Sequence, residues 1–99
     1  MGGWTYIMAS GPYGTLYVGV TNDISRRVFE HREGVGSAFV AKYAVRRLVY
    51  RESFEDIGHA IRREKRLKKW PRAWKIRLIE EQNPTWEDLY ETILNWGPL

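Results

Sequence analysis

The chain has 99 residues, with 16 Lys plus Arg against 12 Asp plus Glu, a net charge of +4 at pH 7 and no cysteine. A chain of this length holds one core, burying about two-thirds of the surface it exposes unfolded, so one domain over residues 1–99 is expected; the lack of cysteine excludes disulfides and thiolate zinc sites and fits a reducing cytoplasm. No basic segment leads into a long apolar one at the N-terminus, and no apolar run approaches the roughly 20 residues of a membrane helix, so a soluble intracellular protein without membrane contact is expected.

"WTYIMAS" (4–10) and "TLYVGV" (15–20) are aromatic and β-branched runs joined by the turn cluster "GPYG", which predicts an antiparallel hairpin. Strand side chains alternate, so Trp4, Tyr6 and Met8 share one face of the first strand, and Tyr17 and Gly19 share one face of the second. Asp23 is placed to cap a helix from Ile24 to about Arg32, closed by Gly34. On that helix Arg27 and His31 stand one turn apart, beside the apolar edge made by Ile24 and Val28. A loop, "EGVGSAFVAKYAV", leads to a third strand, "VRRLVYRESF" (45–54), and then to a helix from about Asp56 to Lys69. Pro71 opens another helix running to about Glu81, Asn83-Pro84 punctuates, and a short helix follows from Thr85. The expected fold is α/β, a small three-stranded antiparallel sheet flanked by helices.

Two features of the later half carry chemistry. "RREKRLKKWPRAWKIR" (62–77) packs nine cations against the single acid Glu64 and interleaves them with Trp70 and Trp74. Such a block neutralises phosphates and offers aromatic faces to bases or sugars; its plainer reading is a solvated helix surface whose tryptophans serve the core. Arg63, Lys65, Lys68, Lys69 and Arg72, with Arg26 from the first helix, are the candidate nucleic-acid contacts. The acidic segment "EEQNPTWEDLYE" should lie outside any such face. The second feature is Glu64 itself, which falls on the apolar stripe of Ile57, Ala60, Ile61 and Leu67. A carboxylate turned inward needs a cationic partner, and an ion pair with a nearby arginine supplies one; the sharper alternative is a hard-cation site, since Mg²⁺ takes one or two protein carboxylates plus waters and phosphate oxygens.

Together these residues resemble the GIY-YIG endonuclease superfamily. "WTY", ending at Tyr6, corresponds to its first motif with Trp4 and Thr5 in place of Gly and Ile, and "YVG", beginning at Tyr17, corresponds to its second. Arg27 in "ISRRVFEH" corresponds to the helical arginine, Glu64 in "AIRREKRLKKW" to the metal-binding glutamate, His31 to a His or Tyr position, and Asn83 in "EEQNPTW" to a polar residue near the site. The similarity runs from about Gly3 to Tyr90 and is greatest to small stand-alone bacterial members. It implies an endonuclease that hydrolyses DNA phosphodiester bonds with Mg²⁺ (or Mn²⁺) at Glu64. The implied catalytic set is Tyr6, Tyr17, Arg27, His31, Glu64 and Asn83: Arg27 clamps the phosphoryl group, Tyr17 takes the proton from the attacking water or passes it to His31, and Tyr6 and His31 position water and base. Duplex, branched and single-stranded DNA all stay open as partners. Two other classes compete: a nucleic-acid-binding module of the same fold without cleavage, and a protein-interaction domain using exposed tryptophans.

Overall fold

A computed structural model describes residues 2–94. Strands β1 (Gly3–Ala9) and β2 (Leu16–Thr21) form the expected hairpin, and β3 (Arg47–Phe54) pairs with the other side of β1, so the three-stranded antiparallel sheet has the order β2-β1-β3. β2 is therefore an edge strand. The β1–β3 register shifts between Ile7 and Met8, which pair with Tyr50 and Leu48 and leave Val49 as the extra residue of a bulge.

The period of two sorts the core into two halves. Tyr6 and Met8 face one side, where they pack with Ile24 and Val28 of helix α1 (Ile24–Arg32), Val40 of α2 (Ala38–Tyr43), Val45, Leu48, and Ile93 of α5 (Tyr90–Leu94). Ile7 and Ala9 face the other, against Leu67 of α3 (Ile57–Lys69), Ile79 of α4 (Arg72–Gln82), Val18, Val49, Tyr50 and Trp86. The Thr5 hydroxyl, on this second face, donates to the Ala60 carbonyl at 2.8 Å and fixes α3 along β1.

Local chemistry explains most element ends. The Asp23 carboxylate accepts from the Arg26 N–H at 3.2 Å and starts α1; the Asp56 carboxylate accepts from the Gly58 N–H at 2.7 Å and starts α3. Pro71 precedes α4 as its cap instead of occupying its first turn. Three expectations are corrected. The segment read as a loop contains α2, whose six residues bury only Val40 and so show no helical period; Ser37 caps it through the Val40 N–H at 3.3 Å. The last helix begins at Tyr90, not Thr85, because the preceding residues run along β3: the Leu89 N–H donates to the Leu48 carbonyl at 2.8 Å, and Asp88 accepts from the Leu48 N–H at 3.2 Å. Ile61 is exposed, while the inward line of α3 runs Ile57, Ala60, Glu64, Leu67.

Candidate active site

β1 and β2 bring the two motif tyrosines together across the hairpin. Tyr6 pairs with Gly19, and Tyr17 pairs with Met8, leaving the tyrosine rings 6.4 Å apart. Gly19 is required by this packing: a Cβ there would stand 2.4 Å from both Cζ and Oη of Tyr6. The Tyr6 ring thus lies over the bare backbone of β2, and any larger residue would expel it.

Helix α1 supplies the next two groups. His31 is fully buried, with its Nε2 2.8 Å from the Tyr6 hydroxyl and its ring 5.1 Å from that of Tyr17 in an edge-on arrangement. Arg27, one turn earlier, lies beside the same hydroxyl; its Nη1 donates to Glu30 at 3.2 Å and its Nη2 to the Gly36 carbonyl at 3.4 Å. Gly36 has φ +86°, and a side chain there would meet the guanidinium at 2.7 Å, so the loop's close approach to Arg27 depends on glycine.

Burial and charge assign protonation states. Burial, reinforced by Tyr17 and opposed in part by Arg27, pushes the Tyr6 phenol well above its ordinary range, so Tyr6 is a neutral hydroxyl. Burial first, and the Arg27 charge second, bring His31 down to about 4, so its imidazole is neutral near pH 7. The His31 Nδ1 is buried without a hydrogen-bond partner. The ring therefore makes its one polar contact at the Tyr6 hydroxyl.

Glu64 arrives from the other layer. Helix α3 covers the sheet face opposite Tyr6, so Glu64 approaches from that side. Because β2 is the edge, the two layers nevertheless meet around it. Leu16, Tyr17 and Val18 of β2, Phe39 of α2, Lys68 of α3 and Lys75 of α4 line one cavity of about 320 Å³, and the Glu64 charge acts on the Tyr6 hydroxyl. Only 13% of the Glu64 side chain is exposed; its carboxylate is 3.0 Å from the ammonium of Lys68, itself 54% exposed. The partner is thus a lysine one turn along, not an arginine. Among the described residues no three His, Cys, Asp or Glu side chains cluster as a metal site. The donor set fits a cation held by one carboxylate and completed by water and phosphate oxygens.

Asn83 does not join this group. Its Nδ2 donates to the carbonyls of Val49 at 3.1 Å and Glu87 at 2.9 Å, and its Oδ1 accepts from the Glu87 N–H at 2.9 Å. Every amide function is spent on backbone, which makes Asn83 the clamp of the 83–87 turn. Two of the expected nucleic-acid contacts are also committed elsewhere. Arg63 donates to Glu52 at 3.0 Å and lies 5.2 Å over the Trp70 ring; Arg72 donates to the carbonyls of Tyr13 and Gly14 at 2.6 and 2.7 Å, bolting α4 to the hairpin turn. Arg26, Lys65 and Lys69 are exposed, with Arg26 only 4.0 Å from Asp23 as its closest acid. The acidic segment is tied into the fold: Glu80 accepts from Tyr13 and from Trp86 Nε1, and Asp88 pairs with Arg32. Sequence reasoning missed Phe39, which sits in unperiodic sequence, and did not single out Lys75 from the basic block.

A three-stranded antiparallel sheet with two tyrosines, an arginine and a histidine gathered at its edge strand, and a glutamate beside them on a later helix, defines a GIY-YIG domain. The model of the GIY-YIG catalytic domain matches residues 2–77, and the chain belongs to this family, which places it in a nuclease superfamily and implies a nucleic-acid substrate. It is similar to a UPF0213 protein of Staphylococcus aureus strain Mu3, 36% identical over 69 residues covering 70% of this chain and 84% of that one, and equally to UPF0213 protein SAV0488 of strain Mu50. The solution structure of UPF0213 protein BH0048 from Bacillus halodurans resembles it with a TM-score of 0.56 at 28% identity, covering 89% of this chain and 93% of that chain. No helix among the described residues is long and apolar enough to cross a membrane.

Proposed function

We propose that this protein is an endonuclease that hydrolyses DNA phosphodiester bonds with the help of one divalent cation, Mg²⁺ or Mn²⁺, held at Glu64. The observation that carries the reading is the buried Tyr6–His31 hydrogen bond with Arg27 and Tyr17 against it, at the sheet edge where Glu64 approaches. A fold needing only stability would fill this space with apolar side chains, since an inward carboxylate and a buried imidazole with an unpaired nitrogen both cost free energy.

Each residue has a task its environment supports. Arg27 stays charged and, with the N–H groups not given to Glu30 and Gly36, donates to the non-bridging oxygens, where it gains as charge grows in the transition state. Tyr6 keeps its proton and donates or accepts at a fixed position, oriented by His31. His31, out of contact with solvent, acts through Tyr6 and not on water directly. Tyr17 lines the open cavity and takes the proton of the attacking water, while the bond from phosphorus to the departing oxygen breaks. Lys68 and Lys75 line the same cavity as Tyr17, and their positive charge favours the negative charge that develops there. Glu64 would hold the cation, which would supply positive charge against the phosphate and the leaving oxygen.

The test is cleavage of plasmid, duplex, branched and single-stranded DNA with Mg²⁺, Mn²⁺ or EDTA, comparing wild type with Glu64→Gln and Arg27→Ala. Both variants should lose about 10²- to 10³-fold in rate. Metal-free binding should diverge: Glu64→Gln binds as well as wild type or better, having lost a charge that repels phosphate, and Arg27→Ala binds less well. Equal cleavage by wild type and Glu64→Gln would overturn the assignment. Binding without cleavage under every metal condition would establish the binding module instead.

A further inference from the structure

Phe39 and Tyr43 are large rings left in water beside the cavity, on a helix whose inward contact is made by Val40 alone. They are 41% and 44% exposed, with ring centres 4.8 Å apart. Phe39 lies 6.0 Å from the Tyr17 ring, and the Lys42 ammonium sits 5.3 Å over Tyr43. An aromatic tier therefore leads outward from Tyr17, and Lys68 and Lys75 line the same cavity as Phe39. An aromatic face and two ammonium groups in one cavity match a single nucleotide, a planar base joined to phosphate.

We propose that the Phe39–Tyr43 tier is a subsite for an unpaired nucleotide of the DNA strand next to the scissile phosphate: its base stacks on Phe39, and its phosphates are neutralised by Lys68 and Lys75. This deepens the nuclease reading and rests on it for the identity of the ligand. A base within a duplex has both faces covered by its neighbours, so only an unpaired base has a face free to stack on Phe39. The substrate class that follows is DNA with a single-stranded arm, gap or splayed end. The cleft of Trp70, Trp74, Arg77, Leu78 and Glu81 is the rival stacking surface, with Trp74 50% exposed, but its lining has one cation where the Phe39 cavity has two and does not include Tyr17.

The experiment measures binding in metal-free buffer, by fluorescence anisotropy, to a blunt duplex and to the same duplex bearing a single-stranded arm with 2-aminopurine near the junction. Wild type should prefer the armed DNA by about tenfold and quench the 2-aminopurine through stacking. Phe39→Leu should lose both preference and quenching with duplex affinity kept within about twofold, Tyr43→Leu should lose part, and Phe39→Trp should retain them, which separates stacking from a folding defect. Preference that survives Phe39→Leu, or that is lost in Trp74→Ala instead, overturns the subsite while leaving the nuclease reading in place. Failure to bind either DNA overturns the nucleic-acid reading itself.

Discussion

Acidification should destabilise this protein through His31 before its carboxylates titrate. Buried and facing Arg27, the imidazole titrates at about 4 in the folded chain, against about 6.5 in an unfolded one. Between those values the unfolded chain binds a proton that the folded chain refuses, so unfolding free energy rises with pH. The stabilisation of the neutral form is complete above about pH 6.5 and is lost as the pH falls toward 4. Integrated from about pH 7.5 to about pH 5, the loss is about 2 kcal/mol. Urea denaturation at both pH values, for wild type and His31→Phe, reads it directly. The variant keeps a ring of similar size and leaves Tyr6 without its partner at both pH values, so that cost cancels, and His59 is common to both proteins. Wild type should lose about 2 kcal/mol more than His31→Phe on acidification. Equal losses in the two proteins, or a wild type that gains stability at the lower pH, would refute a neutral buried His31.

Gly19→Ala would place a methyl 2.4 Å from the Tyr6 hydroxyl and ring; the forced shift should cost about 1–3 kcal/mol in a thermal or urea melt and lower cleavage at least about tenfold by breaking the Tyr6–His31 contact. Wild-type stability in this variant would mean that the ring does not depend on the bare β2 backbone. Asn83→Ala removes three backbone contacts and should cost about 2–4 kcal/mol, while cleavage per folded molecule, measured well below the melting temperature, stays at the wild-type level; a catalytic Asn83 would show the reverse.

Wherever a local signal sufficed, the fold was legible in the sequence. Alternation in residues 4–10 and 15–20 marked the hairpin, Asp23 and Asp56 marked helix starts, and the three- and four-residue spacing of Ile57, Ala60, Glu64 and Leu67 marked the inward turn of the carboxylate. Helix α2 escaped because six residues with a single buried side chain carry no period. The motif residues Tyr6, Tyr17, Arg27, His31 and Glu64 could be named from the chain because the stretches that carry them resemble the GIY-YIG motifs. What those groups do depends on partners distant in sequence. Only the folded chain pairs Tyr6 with a histidine 25 residues away, fills the Asn83 amide with Val49 and Glu87, and diverts Arg63 to Glu52 and Arg72 to the hairpin turn. Composition counts Arg63 and Arg72 as phosphate ligands; tertiary contacts spend both on the fold. The layer that bears Glu64 is likewise set by topology, since spacing along α3 says which residues face the sheet but not which face of the sheet they meet. The edge position of β2 reconciles the two, letting helices on opposite faces contribute to one cavity around a single strand.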